Sequence, residues 1–162
     1  MTRLGFLSPG HAAPGVTLRS PLRHALGAGV VDLSHLGKLE LRGAVSTIEA
    51  GPGEELLRLS PTRALLITEG SPAAAGERVS GGQVRAYDMT SALAAFEVEG
   101  EDLMRRLTEL DLSRLPAVGS LARGTRAVIE RRDGGRFRLF VPQELGHYVV
   151  EVVRDTLAGL GR

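Results

Sequence analysis

Two short phrases gather the residues best able to do chemistry. Asp32, Ser34 and His35 open the stretch DLSHLGKLELRG (32–43), and Asp88 and Thr90 open a looser copy, DMTSALAAFEVEG (88–100). An acid, a hydroxyl and an imidazole are the parts of a nucleophilic triad. Crowded into four consecutive residues, however, they cannot easily reach the separated nucleophile, base and orienter geometry that the chemistry needs. The same residue types have a simpler use: Asp followed two positions later by Ser or Thr bonds nearby backbone N–H groups and fixes the turn that enters a strand. The functional alternative is that one of these aspartates lines a pocket and accepts a hydrogen bond from a ligand nitrogen.

Other constellations are weaker. His11, His24 and His147 are scattered, with no HxH or HExxH spacing, so no metal site is expected. With no cysteine there is no thiolate nucleophile, disulfide or cysteine-held cluster. The glycines of GAGV and GPGEE do not sit between a clear strand and a clear helix, as a phosphate cradle requires. Arg131, Arg132, Arg136 and Arg138 crowd the segment ERRDGGRFR. They suit either carboxylate or phosphate binding or a charged hairpin edge that resists strand pairing, and the edge is the favoured reading.

The elements that must position these residues follow from periodicity. Leu39, Leu41 and Val45 alternate with Glu40, Arg42 and Ser46, which predicts a strand with one wet face. RALLIT (63–68) is a short unbroken apolar run that suits a central strand. Ser71 and Pro72 can start a short helix inside 69–83, VRAYDMT and AAFEVEG read as strands, and EDLMRRLTEL (101–110) as a helix with its acids at the N-terminus. Asp133, Gly134 and Gly135 make a hairpin of the flanking strands. The closing segment places Leu145, Tyr148, Val149, Val152, Val153, Leu157 and Leu160 on one helical stripe.

The resulting fold class is α+β, with mostly antiparallel sheets and helices packed on one face. Residues 1–24 read as an N-terminal arm with a short helix beginning near Ser20. Residues 25–162 read as a single domain whose two halves meet near 69–83, the first half an abbreviated partner of the second. Twenty basic residues against nineteen acidic ones give a net charge of +1, too small a field for a dedicated nucleic-acid binder. Pro9, Pro14 and Gly15 interrupt any signal-peptide core, and no apolar run approaches 18 residues. A cytoplasmic protein without membrane or nucleic-acid partners is expected.

The stretch from Tyr87 to Val153 resembles the gamma subunit of heterotetrameric sarcosine oxidase and, more remotely, the folate-binding domain of the glycine cleavage T-protein, an aminomethyltransferase. The resemblance rests on Asp88-x-Thr90, a strand ending at Gly100-Glu101-Asp102, LMRRLTELDL (103–112), FRLFVPQELGHYVVEVV and, upstream, LRLSPTRALLIT, and it covers residues 56–155. The DLSHLGK phrase also resembles one near the T-protein N-terminus. Asp88 is taken as the family position, with Asp32 a look-alike or an internal repeat.

The resemblance implies a T-protein-like fold and a role as an accessory subunit in folate-linked one-carbon and amine-oxidation metabolism, beside oxidase or one-carbon-transfer subunits or as a homo-oligomer. The alternative it leaves open is a stand-alone tetrahydrofolate-binding aminomethyltransferase-like enzyme, so whether the chain is an enzyme stays undecided. No catalytic residue is assigned. Tetrahydrofolate is the cofactor candidate, with Asp88, Thr90 and Arg63 as its candidate contacts.

Overall fold

Alternation of side chains along the strands builds the molecule, because the central strands bury both of their faces. The computed structural model describes residues 20–161. Nine strands run β1 (Val30–Asp32), β2 (Gly37–Gly43), β3 (Glu54–Ser60), β4 (Arg63–Thr68), β5 (Val84–Asp88), β6 (Leu93–Glu99), β7 (Ala117–Leu121), β8 (Thr125–Arg131) and β9 (Arg136–Pro142). Three helices accompany them: α1 (Pro72–Val79), α2 (Glu101–Leu107) and α3 (Gln143–Gly159). The strands form two sheets with antiparallel pairing throughout, in the orders β1-β6-β9-β8-β7 and β3-β4-β2-β5.

Residues at alternate positions go to different cores. On β6 and β9, Ala94, Phe96, Val98, Phe137, Leu139 and Val141 pack with Leu103, Met104, Val149, Val150 and Val153 of α2 and α3. On β2 and β4, Leu39, Leu41, Ala64 and Leu66 pack with Ala75 and Val79 of α1. The residues between them, Leu65, Ile67, Ala95, Val128 and Phe140 among others, form a third cluster where the two sheets face each other. The layers are therefore helix, sheet, sheet, helices, with each sheet covered by helix on its outer face. This is the α+β class that the pattern predicts.

The two sheets are built alike. Each has an edge strand (β1 or β5) beside the strand that follows a D-x-S/T turn (β6 or β2), then β9 or β4, then β8 or β3, and β9 and β4 each lead into a helix. Registers agree: Asp32 pairs with Phe96 across β1 and β6, and Asp88 pairs with Leu39 across β5 and β2. The looser phrase at Asp88 is thus an internal repeat of the phrase at Asp32, offset by one residue.

Several expectations need correction. The DGG hairpin forms, with Gly134 and Gly135 at φ 72° and 75°, but it joins β8 and β9 inside the sheet and is not an edge. Its arginines are neutralised within the chain: Arg131 by Glu101 at 2.7 Å, Arg136 by Glu97 at 3.1 Å, and Arg132 and Arg138 by Glu130 and Glu55. The segment from Ser20 is a turn, not a helix, and Leu22 is fully buried in the core beneath α3. Residues 1–19 of the expected arm lie outside the described residues. The stretch 69–83 carries α1 and leads into β5, and the chain crosses between sheets at 88–93.

Candidate functional site

The chain passes from one sheet to the other twice, and both crossings use the repeated phrase. At the first, Asp32 Oδ1 accepts the Ser34 N–H at 2.9 Å. At the second, Asp88 Oδ1 accepts the Thr90 N–H at the same distance. The hydroxyls then reach across to the opposite strand. Ser34 Oγ donates to the Ala95 carbonyl and accepts its N–H, both at 3.2 Å, while Thr90 Oγ1 accepts the Lys38 N–H at 3.1 Å. The intervening residues complete the pattern, Leu33 N–H donating to Ala95 O at 2.9 Å and Met89 N–H to Lys38 O at 2.8 Å. These hydroxyls are structural clamps, and the exposed ring of His35 is no part of a triad.

The crossings differ where Lys38 faces Ala95. Lys38, the one lysine of the chain, is 0% exposed. Its Nζ donates to the carbonyls of Ser34 and Leu36 at 2.9 and 2.8 Å. Burial pushes its pKa down to about 8, against the opposing attraction of Asp32 and Asp88. Burial also disfavours the Asp32 carboxylate, but hydrogen bonds from Ser20 and Ser34 hold its pKa below the usual carboxylate range. The result is an ammonium locked between two aspartate-capped turns.

Glu40, two residues along β2, lies on the same face as Lys38. Its Oε1 accepts Arg42 Nε at 2.8 Å and Arg63 Nε at 2.9 Å. Burial opposes ionisation there too, yet the two guanidinium groups lower the Glu40 pKa. Of the face expected to be wet, Glu40 is therefore turned toward the second sheet, while Arg42 and Ser46 stay exposed. Beside Glu40 the sheets part around a cavity of about 120 Å³. Leu59, Leu65, Leu93, Val118, Val128 and Phe140 give it apolar walls, and Met89, Arg63 and Arg126 are among its other lining residues.

The three candidate residues from the sequence do not converge. Asp88 and Thr90 share one turn, each already engaged there, and neither lines the cavity. Arg63 does line it, held by Glu40. Lys38, Glu40 and Arg126 were not singled out as site residues. A usable signal existed for Lys38, a solitary lysine among nineteen arginines in phase with Glu40 on a strand. Arg126 carried none. Among the described residues, no group of three His, Asp or Glu could hold a metal ion, and no helix is long and apolar enough to cross a membrane.

No protein-family model and no curated protein matches the sequence. Solved structures do match in fold. A chain of the heterotetrameric sarcosine oxidase from Corynebacterium sp. U-96, in complex with pyrrole 2-carboxylate, superposes with a TM-score of 0.71 at 16% identity, covering 90% of this chain and 97% of that one. The glycine cleavage system aminomethyltransferase T from Bartonella henselae superposes with a TM-score of 0.55 at 14% identity, covering 82% of this chain. This chain spans about half the length of that aminomethyltransferase, 48%. The protein has the two-sheet α+β fold that is found in a sarcosine oxidase chain and in part of a glycine cleavage aminomethyltransferase.

Proposed function

We propose that this protein is an accessory subunit of the sarcosine oxidase gamma type, acting in the cytoplasm beside oxidase or one-carbon-transfer subunits. One observation carries the reading: the fold matches a chain of a heterotetrameric oxidase almost end to end, 90% of one against 97% of the other. The aminomethyltransferase is matched over only half of its length. Lys38, Asp32 and Asp88 support a scaffold role, since each is spent on holding the two sheet crossings in place.

The rival reading, a tetrahydrofolate-binding enzyme, is supported by the same fold likeness to the aminomethyltransferase but not by the residues. A pterin presents several polar edges that need partners when buried, and the inter-sheet cavity has apolar walls with its charged groups in Glu40, Arg63 and Arg126. Its volume of about 120 Å³ is also below the roughly 300–1,000 Å³ of pockets that hold drug-sized ligands. Asp88, Thr90 and Arg63 do not fit a shared folate site.

Affinity purification of the tagged protein from its own cells tests the proposal, with flavin-containing oxidase subunits the expected companions. A monomer that elutes alone, and that tetrahydrofolate stabilises in a thermal unfolding assay, would replace the subunit reading with the enzyme.

A further inference from the structure

The cavity beside Glu40 has a chemistry of its own, independent of the subunit reading. Its walls come from both sheets: Leu59 and Leu65 from one, Leu93, Val118, Val128 and Phe140 from the other. Among the described residues no unpaired buried side-chain donor or acceptor remains to meet a polar group pushed between the sheets. A sugar hydroxyl or an amide placed there would lose its water without a partner, at a cost of about 1–3 kcal/mol or more. The inner part of any occupant is therefore apolar. A dry cavity of about 150 Å³ accommodates benzene, so a volume of about 120 Å³ suits a single ring or a branched aliphatic group whose other end reaches the opening.

Charge decides the outer end. Glu40 contributes the one carboxylate of the lining, and Arg42 and Arg63 already hold its Oε1. Arg126, exposed on β8, lines the same cavity, and its guanidinium has no partner among the described residues. Within the lining the balance is two guanidinium groups, Arg63 and Arg126, against one carboxylate, an excess that favours an anion. Arginine also offers paired N–H donors in the geometry a carboxylate accepts.

We propose that the inter-sheet cavity is a binding site for a small monocarboxylate with a compact apolar body, the body lying between the sheets and the carboxylate on Arg126. Burial of the body supplies the affinity, and Arg126 selects the charge and fixes the orientation.

Benzoate is the probe, titrated into the full chain and followed by methyl NMR, with benzyl alcohol as the uncharged ring and acetate as the carboxylate without a ring. Benzoate should bind with a Kd below about 5 mM and shift the methyl signals of Leu65, Val118 and Val128, while both controls bind at least tenfold more weakly. Arg126→Gln, at an exposed position, should weaken benzoate at least fivefold with an unchanged unfolding midpoint. Val118→Phe should abolish the shifts by filling the cavity. Benzoate shifts confined to other parts of the molecule, equal binding of benzyl alcohol, or an unaltered Kd in Arg126→Gln would each overturn the assignment.

Discussion

The crossing from β1 to β2 and the crossing from β5 to β6 share a frame and differ in one buried side chain. Both begin with an aspartate that caps its own turn and continue with a hydroxyl that clamps the opposite strand. Strand β2 ends on, and β6 runs directly into, a glycine at similar positive φ, Gly43 at 115° and Gly100 at 119°. Even an ion pair recurs, Glu40 with Arg63 at 2.9 Å and Glu97 with Arg136 at 3.1 Å. Where the second sheet presents Ala95 to the clamp, the first presents Lys38. The backbone geometry of the crossing thus does not require the lysine. An apolar side chain satisfies the same two clamping bonds, so Lys38 adds a tie to the Ser34 and Leu36 carbonyls on one side only.

If that comparison is right, the shared frame should be the most sensitive part. A Cβ on Gly43 would lie 1.7 Å from the Gln83 carbonyl oxygen, so Gly43→Ala combines a backbone clash with a positive φ that L-residues avoid. A loss of about 3 kcal/mol or more is expected in urea unfolding, and Gly100→Ala should also destabilise. A loss under about 1 kcal/mol at Gly43 would mean that the strand end can move, and the equivalence would fail.

The pH dependence of Lys38 comes next. Between pH 8 and 10.5 the unfolded chain keeps its lysine proton while the folded chain releases it, so folding stability gained from this group rises with pH across that window. The full shift corresponds to about 3 kcal/mol. Urea unfolding at pH 7.5 and pH 10.5 should therefore show wild type gaining on Lys38→Met as pH rises, by up to that amount. Parallel stability curves for the two proteins would show that Lys38 titrates normally in the fold. Ala95 offers no counterpart, which makes the effect specific to one crossing.

The smallest difference lies between the two aspartates. Asp32 is half-buried and bonded by Ser20 as well as Ser34, whereas Asp88 is exposed. Truncating a cap of this kind costs roughly 0.5–2 kcal/mol. Asp32→Ala should lie toward the upper end and Asp88→Ala toward the lower. The stabilisation from Asp32 should also fade as pH falls through its lowered pKa, because protonation removes the favoured carboxylate. Equal losses in the two variants, measured at pH 7, would mean that Ser20 contributes nothing.

Much of the fold was legible in residue order. RALLIT lies between β3 and β2 as an interior strand, and the DGG turn and the closing helix fall where pattern places them. Other features were hidden for identifiable reasons. The α3 stripe is rotated: Gly146, Val149, Val150, Val153 and Leu157 are buried, while Leu145 and Tyr148 are 38% and 39% exposed. Gly146 carries no hydrophobic signal, yet its bare backbone admits Leu22, which would lie 2.8 Å from any Cβ there. Helix α2 stops at Leu107, short of the expected Leu110, because Thr108 turns extended and its hydroxyl bonds the Ser120 carbonyl at 2.7 Å. Strand β7 was missed: AVGSL has weak strand character, and its Gly119 is closely covered by Leu110.

The candidate site was less legible than the fold. Asp88, Thr90 and Arg63 could be picked out one at a time, but only Arg63 lines the cavity. The repeat that explains the first two was blurred by a one-residue offset between the phrases. The partners of the site come from strands far apart in sequence, and no local pattern couples Glu40 to Arg126.

Residue order alone determined most of the strands, the DGG turn and the existence of the closing helix, because those depend on periodicity and on side chains bonding their nearest backbone. Tertiary structure decided which polar faces would be wet. Glu40 reads as part of a solvated strand face until a second sheet is laid against it, and only that packing makes Lys38 a buried ammonium and the space beside Glu40 a cavity. Burial depends on what the rest of the chain brings to a surface, and no property of the strand itself contains that information.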